Sequence, residues 1–337
     1  MTITAVGDLA HSFQLRKQNV ALKQQIATLT QELSTGRTAD PGQRLSGAFL
    51  PLASIERGLK TLGAYETATA EAEMTTKVMQ QSLTRIGDAA SEISSNLLLA
   101  GAAPEATLLR NAGLQAHTAL EKAVDALNVR FAGRSLFSGS ATDSAALADA
   151  DQIISALRSS VAGETTAEGV IMAIKAWFDT PGGGFETLAY SGSPDPAGPV
   201  RLSDGETLSL DITAADPGLR DMLRALATAA LLRDGFVLSG NIAERGKLAR
   251  RSGEQVLTAE RPLTALRADI GVAQDRIETI QAENAAQTSL LEITRNELIG
   301  TEPYDIATRL EAARGRMEML YTITARMARL SLADYLE

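Results

Sequence analysis

Residues 15–36 read LRKQNVALKQQIATLTQELSTG, and apolar side chains recur along them at heptad spacing. The residues on this stripe are Leu15, Leu22, Ile26, Leu29 and Leu33. Spacings of three, four and seven keep one narrow face of a helix apolar, as in a coiled coil. Gly36 and the turn-forming residues up to Pro41 end the pattern. The stretch therefore predicts a long N-terminal helix that buries its stripe against another helix.

The C-terminal third of the chain repeats this pattern. Heptad positions run from Leu266 to Leu298, and Gly300-Thr301-Glu302-Pro303 interrupts them. Polar Asn284 interrupts the stripe, and it marks either a solvated gap or a residue that fixes the register between helices. A last amphipathic helix follows, with its stripe at Ile306, Leu310, Met317, Leu320, Met327, Leu330 and Leu336.

Two further helices and a β-containing segment are predicted between the ends. A heptad helix spans about Leu59 to Leu99, and another begins at Pro104; because their connection is short, we expect antiparallel neighbours. Beyond Phe131 glycine and proline are frequent, and three segments have strand character: Phe185–Tyr190, Val200–Leu202 and Thr207–Ile212. Short helices are predicted around them, at Ala148–Val161, Thr166–Phe178 and Leu219–Leu232.

These patterns predict a mainly α protein. We expect an elongated helical bundle or coiled coil built from both termini, with a small α+β central domain that carries a β-hairpin. Residues 1–42 and 300–337 are predicted to be coiled-coil segments that associate through their apolar stripes in an assembly domain. Residues 43–138 and 237–299 are predicted to form a helical rod, and residues 139–236 the central α+β domain.

The composition excludes several classes of function. The chain of 337 residues has a net charge of −9 and shows no basic stripe of the kind that phosphate binding needs, so nucleic acid is not an expected partner. Cysteine is absent, which excludes disulfides, thiolate metal sites and cysteine nucleophiles. No apolar run reaches the roughly 18 residues of a membrane span, and the first residues do not resemble a cleaved signal. We expect no membrane insertion and, if the protein is exported, a route without a cleaved signal.

Candidate residues for catalysis or ligand binding are few. His11 and His117 lie in different predicted helices without a metal-ligand spacing, so each is predicted to be packed or solvent-facing. Gly182-Gly183-Gly184 precedes a predicted strand, which is the wrong order for a dinucleotide site. Trp177-Phe178 is either part of the central domain's core or a platform for a carbohydrate or partner. No catalytic residue, cofactor or metal is predicted.

Three stretches of the sequence carry a family resemblance. Residues 29–37, LTQELSTGR, are similar to an "LS-G" helix end; residues 128–140, NVRFAGRSLFSGS, to an "N…GRYLFAGS" stretch; and residues 330–336, LSLADYL, to an "LSLLDYL" terminus. These features resemble the flagellin superfamily and, within it, the hook-associated protein 3 family of the hook-filament junction. After Gly36 the chain departs from the superfamily's "RIN-SDDP"-like segment, which argues against a filament-forming flagellin.

The resemblance implies a structural, non-enzymatic subunit of the bacterial flagellum. It implies export by the flagellar type III secretion apparatus to an extracellular location, self-association in a ring, and coiled-coil packing of the termini. The implied partners are flagellin, the adjacent hook-associated junction protein and, before export, a flagellar export chaperone. The expected assembly residues are Leu15, Leu22, Ile26, Leu29, Leu33, Ile306, Leu310, Met317, Leu320, Met327, Leu330 and Leu336.

Two alternatives remain open at the level of sequence. One is a filament subunit of the flagellin type. The other is a cytoplasmic coiled-coil signalling or adaptor protein, because heptads recur in many unrelated proteins. In each case an isolated amphipathic terminal helix is marginal in water, so we expect the ends to order when a partner covers their stripes.

Overall fold

The computed structural model describes the backbone of residues 2–336 and the side chains of residues 13–327. The described chain is mainly α-helical and contains two small antiparallel sheets, which confirms the predicted fold class and β-hairpin. The long helices are α1 (Thr2–Thr35), α3 (Leu50–Ala102), α4 (Ala106–Leu127), α8 (Ile242–Ile299) and α9 (Pro303–Leu336). The shorter helices are α2 (Pro41–Arg44), α5 (Ala150–Ser160), α6 (Ala167–Asp179) and α7 (Pro217–Ala230).

The chain divides into two compact units. Unit 1 comprises the residues up to Gly63 and those from Ala285 onward, and unit 2 comprises Ala64–Asn284. Helices α3 and α8 each contribute residues to both units. The division into five segments that the sequence suggested is finer than this one and stays a prediction.

Two helices are longer than the sequence patterns indicated. Helix α3 begins at Leu50 rather than near Leu59, because Leu52 and Ile55 are already buried one turn apart. Helix α8 begins at Ile242 and continues through Pro262, well before the heptads that start at Leu266. Helices α3 and α4 are antiparallel neighbours, as predicted. The Nδ2 atom of Asn96 on α3 donates to the Oε1 atom of Gln115 on α4 at 2.9 Å.

The β-hairpin consists of β3 (Val200–Ser203) and β4 (Glu206–Leu208), joined through Gly205 at φ +84°. Leu202 is fully buried against Ala72, Ile277 and Ile280 of unit 2. Asn284 is also buried, and its Nδ2 atom donates to the carbonyl oxygen of Leu202 at 2.9 Å. The interpretation of Asn284 as a solvated gap is therefore wrong, because its amide binds the hairpin.

The predicted strand Phe185–Tyr190 is wrong. Residues Phe185–Ala189 form a π-helical turn, in which the Tyr190 amide donates to the Phe185 carbonyl oxygen at 2.7 Å. The glycine triplet before Phe185 therefore leads into a helical turn rather than a strand. Phe185 and Ala189 of this turn are both buried in the core of unit 2.

The stretch 128–140 organises one end of unit 2. Strands β1 (Arg130–Phe131) and β2 (Arg134–Ser135) form a second hairpin, which the sequence did not predict. The Asn128 amide exchanges two hydrogen bonds with the backbone of Leu147, at 2.8 and 3.0 Å. Gly139 has φ +60°, and a Cβ atom there would lie 2.4 Å from the Asp195 carbonyl oxygen, so only glycine fits.

Candidate assembly surface

Helices α1 and α9 pack together in unit 1 through a narrow apolar seam. Leu29 of α1 is 6% exposed and forms a cluster with Ile306, Leu310 and Ala313 of α9. Ile26, one turn earlier on α1, is half-buried against this cluster. The heptad spacing on each helix places these side chains on one face, which is why the two helices can share a seam.

The predicted assembly residues occupy three kinds of position in the structure. The buried ones are Leu29, Ile306, Leu310, Met317 and Leu320. The half-buried ones are Leu15, Leu22, Ile26 and Met327. Leu33 is 39% exposed. The side chains of Leu330 and Leu336 lie outside the described residues. The part that all these residues play in assembly stays a prediction.

The segment after α1 is joined to the segment between α8 and α9 by backbone hydrogen bonds. The Thr38 amide donates to the Ile299 carbonyl oxygen at 2.8 Å, and the Thr301 amide donates to the Gly36 carbonyl oxygen at 3.0 Å. Gly36 has φ +67°, a left-handed conformation that ends α1 and turns the chain toward this pairing. The two breaks in the heptad pattern thus lie side by side.

Side chains fix the same junction. The Oε1 atom of Glu32 accepts a hydrogen bond from the Ala39 amide at 2.9 Å. Asp40 caps the short helix α2 by accepting from the Gln43 amide at 3.0 Å. The Nε atom of Arg44 donates to the Leu298 carbonyl oxygen at 3.2 Å. Sequence reasoning treated this segment as a loop, although Asp40 followed by Pro41 is the signal for a capped helix start.

Unit 1 exposes many large apolar side chains. It is the smaller of the two units, yet it holds half of the large apolar side chains that are exposed in the described chain. Those in unit 1 are Phe13, Val20, Leu33, Phe49, Leu50, Leu290, Ile293, Tyr304, Met319, Tyr321 and Ile323. Contiguous apolar patches mark surfaces that a partner covers, so these side chains are candidates for contacts with a partner. The α1–α9 seam therefore accounts for only part of the apolar surface of this unit.

His117 in unit 2 is the centre of a group of carboxylates. It is 8% exposed, its Nε2 atom lies 3.0 Å from Asp151 Oδ1, and its Nδ1 atom lies 3.5 Å from Glu121 Oε1. Hydrogen bonds from His117 and then from Arg233 hold the pKa of the Asp151 carboxyl below its ordinary value. One ligand atom from each of His117, Glu121 and Asp151 lies within 4.8 Å of the other two, which is close enough for a metal ion, but both carboxylates are exposed. His117 is thus a packed, hydrogen-bonded histidine. The side chain of His11, the other histidine, lies outside the described residues.

Trp177 and Phe178 belong to the packed interior of unit 2. Phe178 is 1% exposed, and its ring centroid lies 5.0 Å from that of Trp177 and 5.4 Å from that of Phe185. Trp177 is half-buried, and a Cβ atom on Gly184 would meet its indole ring. Of the two interpretations drawn from the sequence, the core role fits these contacts.

No helix within residues 2–336 has both the length and the hydropathy that a bilayer crossing requires.

Comparison with known proteins identifies the fold. No family model and no curated protein matches the sequence. The structure is similar to a solved structure from Vibrio parahaemolyticus, of a protein assigned as a flagellar hook-associated protein. The match has a TM-score of 0.53 and 15% sequence identity, and it covers 75% of this chain and 99% of that chain. At this identity the likeness shows a shared fold.

Proposed function

We propose that this chain is a structural subunit of the bacterial flagellum at the hook-filament junction, of the hook-associated protein 3 type. In this role it joins the hook-side junction protein to the flagellin filament. The observation that carries the proposal is the pairing of α1 with α9 in a unit that leaves many large apolar side chains exposed. The fold shared with a flagellar hook-associated protein and the resemblance of residues 128–140 support the same assignment.

Assembly follows from the apolar surface of unit 1. Neighbouring copies in a ring cover the exposed side chains of α1, α8 and α9, and the interface gains stability roughly in proportion to the apolar area removed from water. The flagellin above the ring and the hook-associated junction protein below it extend the same packing. Before export through the flagellar type III apparatus, a chaperone shields α9 by binding it as an amphipathic helix in a groove.

The test is a deletion strain examined by electron microscopy. Cells that lack the protein should carry hooks without filaments. Flagellin should accumulate in the medium because it has no junction surface on which to polymerise. The wild-type gene on a plasmid should restore filaments. Full-length filaments in the deletion strain would contradict the junction role. Detection of the protein only in the cytosol, and never in sheared flagella, would favour the coiled-coil adaptor.

Complementation with surface variants separates assembly from folding. Leu290 and Ile293 of α8 are 63% and 57% exposed, so a double change to Asp should leave the isolated chain folded and still secreted. It should nevertheless fail to restore filaments, because charges would be buried between subunits. Met172→Asp is the matched control, since Met172 is 64% exposed in unit 2. Filament recovery with the double variant would show that this face is not an assembly surface.

A further inference from the structure

Helix α1 carries a second apolar stripe on the side opposite to the α1–α9 seam. Phe13, Val20 and Ala27 follow one another at intervals of seven residues, and Phe13 and Val20 are 70% and 50% exposed. Heptad intervals keep these three side chains on one face of the helix. Val20 lies about two and a half turns before Leu29 of the seam, so it points away from the seam. We call Phe13, Val20 and Ala27 the outer stripe of α1.

Basic side chains border this stripe. Residues 13–31 contain Arg16, Lys17 and Lys23 and no acidic residue. All three are exposed, and none of them forms an ion pair with a residue whose side chain the structure describes. Each lies three or four residues from Val20, which places it beside the outer stripe. A helix that covers this stripe should therefore combine apolar and acidic groups.

Helix α8 presents that combination within unit 1. Ala286, Leu290 and Ile293 are spaced by four and three residues, and all of them are exposed, Leu290 and Ile293 by 63% and 57%. This spacing places them on one face, which we call the outer stripe of α8. Glu297 continues the stripe four residues after Ile293, and it is exposed and unpaired among the described side chains.

The charge of this part of α8 is acidic. Residues 268–299 contain six acidic residues and two basic ones, Arg276 and Arg295. Both arginines are already paired, Arg276 with Glu206 and Arg295 with Glu292. The remaining carboxylates therefore give α8 a charge opposite to that beside the outer stripe of α1.

The exposed apolar face of α9 has the wrong charge to cover α1. Met319 and Ile323 are 64% and 44% exposed, and Arg316 and Arg326 extend their stripe three residues to either side. Contact with α1 would bring these arginines against its basic side chains. Two copies of α1 would repel each other for the same reason, because like charges that oppose each other across an interface weaken it. The outer stripe of α8 is thus the better match.

We propose that the outer stripe of α1 in one copy of this chain packs against the outer stripe of α8 in a neighbouring copy. The stripes have similar lengths, about 21 Å from Phe13 to Ala27 and about 17 Å from Ala286 to Glu297 at 1.5 Å per residue. The basic side chains of α1 lay their alkyl stems over the apolar contact and place their charges beside the carboxylates of α8. This inference rests on the proposed function, in which neighbouring copies cover unit 1.

The contact also explains how copies can form a ring. Each copy offers two different surfaces, one on α1 and one on α8, so the contact is head-to-tail. Head-to-tail contacts repeat from copy to copy and close into a ring when the rotation between copies allows it.

Cysteine cross-linking tests the contact, because the chain contains no cysteine of its own. Chains with Val20→Cys and chains with Ile293→Cys are produced together in the deletion strain, and sheared flagella are treated with a short bis-maleimide. Packed helix axes lie about 8–10 Å apart, within reach of such a linker. A dimer that requires both variants joins α1 of one copy to α8 of another. Val20→Cys with Met172→Cys is the matched control and should give no dimer, since Met172 is exposed in unit 2.

The outcomes separate this contact from the junction role. We expect dimers only in the mixture of Val20→Cys and Ile293→Cys. Dimers from Val20→Cys alone, or with Met319→Cys in place of Ile293→Cys, would overturn the proposal in favour of another face. Flagella that carry filaments and both variants but yield no dimer would overturn the α1–α8 contact and leave the junction role intact. Absence of the chain from sheared flagella would overturn both.

Charge reversal tests the complementarity. Lys17→Glu with Lys23→Glu should lower the dimer yield about 2- to 30-fold, because each exposed ion pair is weak and two are lost. Glu297→Lys in the Ile293→Cys chain should restore part of that yield. Lys122→Glu with Lys175→Glu changes the net charge equally at exposed sites of unit 2 and should leave the yield unchanged. Equal yields in the two double variants would refute the role of charge.

Discussion

Truncation of Leu310 tests whether the α1–α9 seam holds the terminal helices together within a single chain. Leu310 is 6% exposed and packs with Leu29, Ile306 and Ala313. Leu→Ala changes at buried sites cost about 2–5 kcal/mol. The seam contains only two helices and can partly close over the gap, so we expect the lower end, about 2–3 kcal/mol. Every 1.4 kcal/mol corresponds to about a tenfold change in an equilibrium, so local opening should rise about 30- to 150-fold.

Amide hydrogen exchange of the monomer reports this opening residue by residue. Exchange in α1 and α9 should accelerate by that factor in Leu310→Ala, whereas the core of unit 2 should keep its protection. Leu33→Ala is the matched control, because Leu33 is 39% exposed and its removal should change stability by less than about 0.5 kcal/mol. Equal protection of wild type and Leu310→Ala would refute the reasoning. So would terminal helices that are unprotected in the wild-type monomer.

Two other predictions concern unit 2. The pKa of Asp151 is lowered chiefly by the hydrogen bond from His117. The ionised carboxylate therefore stabilises the folded state at pH values above its ordinary pKa of 3.8. This stabilisation is lost as the pH falls through the lower pKa of the folded state. The Tm of wild type should thus drop more steeply than that of Asp151→Asn below pH 3.8, and parallel Tm curves would contradict this. Gly139→Ala should lower the free energy of unfolding, measured by urea denaturation, more than Gly133→Ala does. Both glycines have a positive φ, which costs alanine about 1–2 kcal/mol. Only at Gly139 would the new Cβ atom also clash with a carbonyl oxygen, that of Asp195. Equal losses in the two variants would show that the close approach to Asp195 is unimportant.

Sequence reasoning worked best where periodicity extends over several turns. The apolar stripes of α1 and α9 could be predicted from the sequence, because heptad spacing determines which face of a helix is apolar whatever its partner is. The end of α1 at Gly36 and the start of α9 at Pro303 could also be predicted, because glycine and proline restrict or permit particular backbone conformations locally. The β3–β4 hairpin was found from its turn residues for the same reason.

Sequence reasoning failed where short segments depend on distant contacts. Residues Phe185–Ala189 were predicted as a strand, yet they form a π-helical turn in which the Phe185 ring stacks on that of Phe178, seven residues earlier. The role of Asn284 could not be seen, because its partner Leu202 lies in a hairpin far away in sequence.

The sequence by itself determined the helical class of this protein, the apolar stripes of its terminal helices and the positions where those helices end, because each of these properties depends on residues within a few turns of one another. The tertiary structure alone decided that the two heptad breaks pair side by side, which apolar side chains the α1–α9 seam leaves exposed, and that Asn284 binds the β3–β4 hairpin. Those features arise from contacts between segments that are far apart along the chain. A single sequence contains no local signal for such contacts.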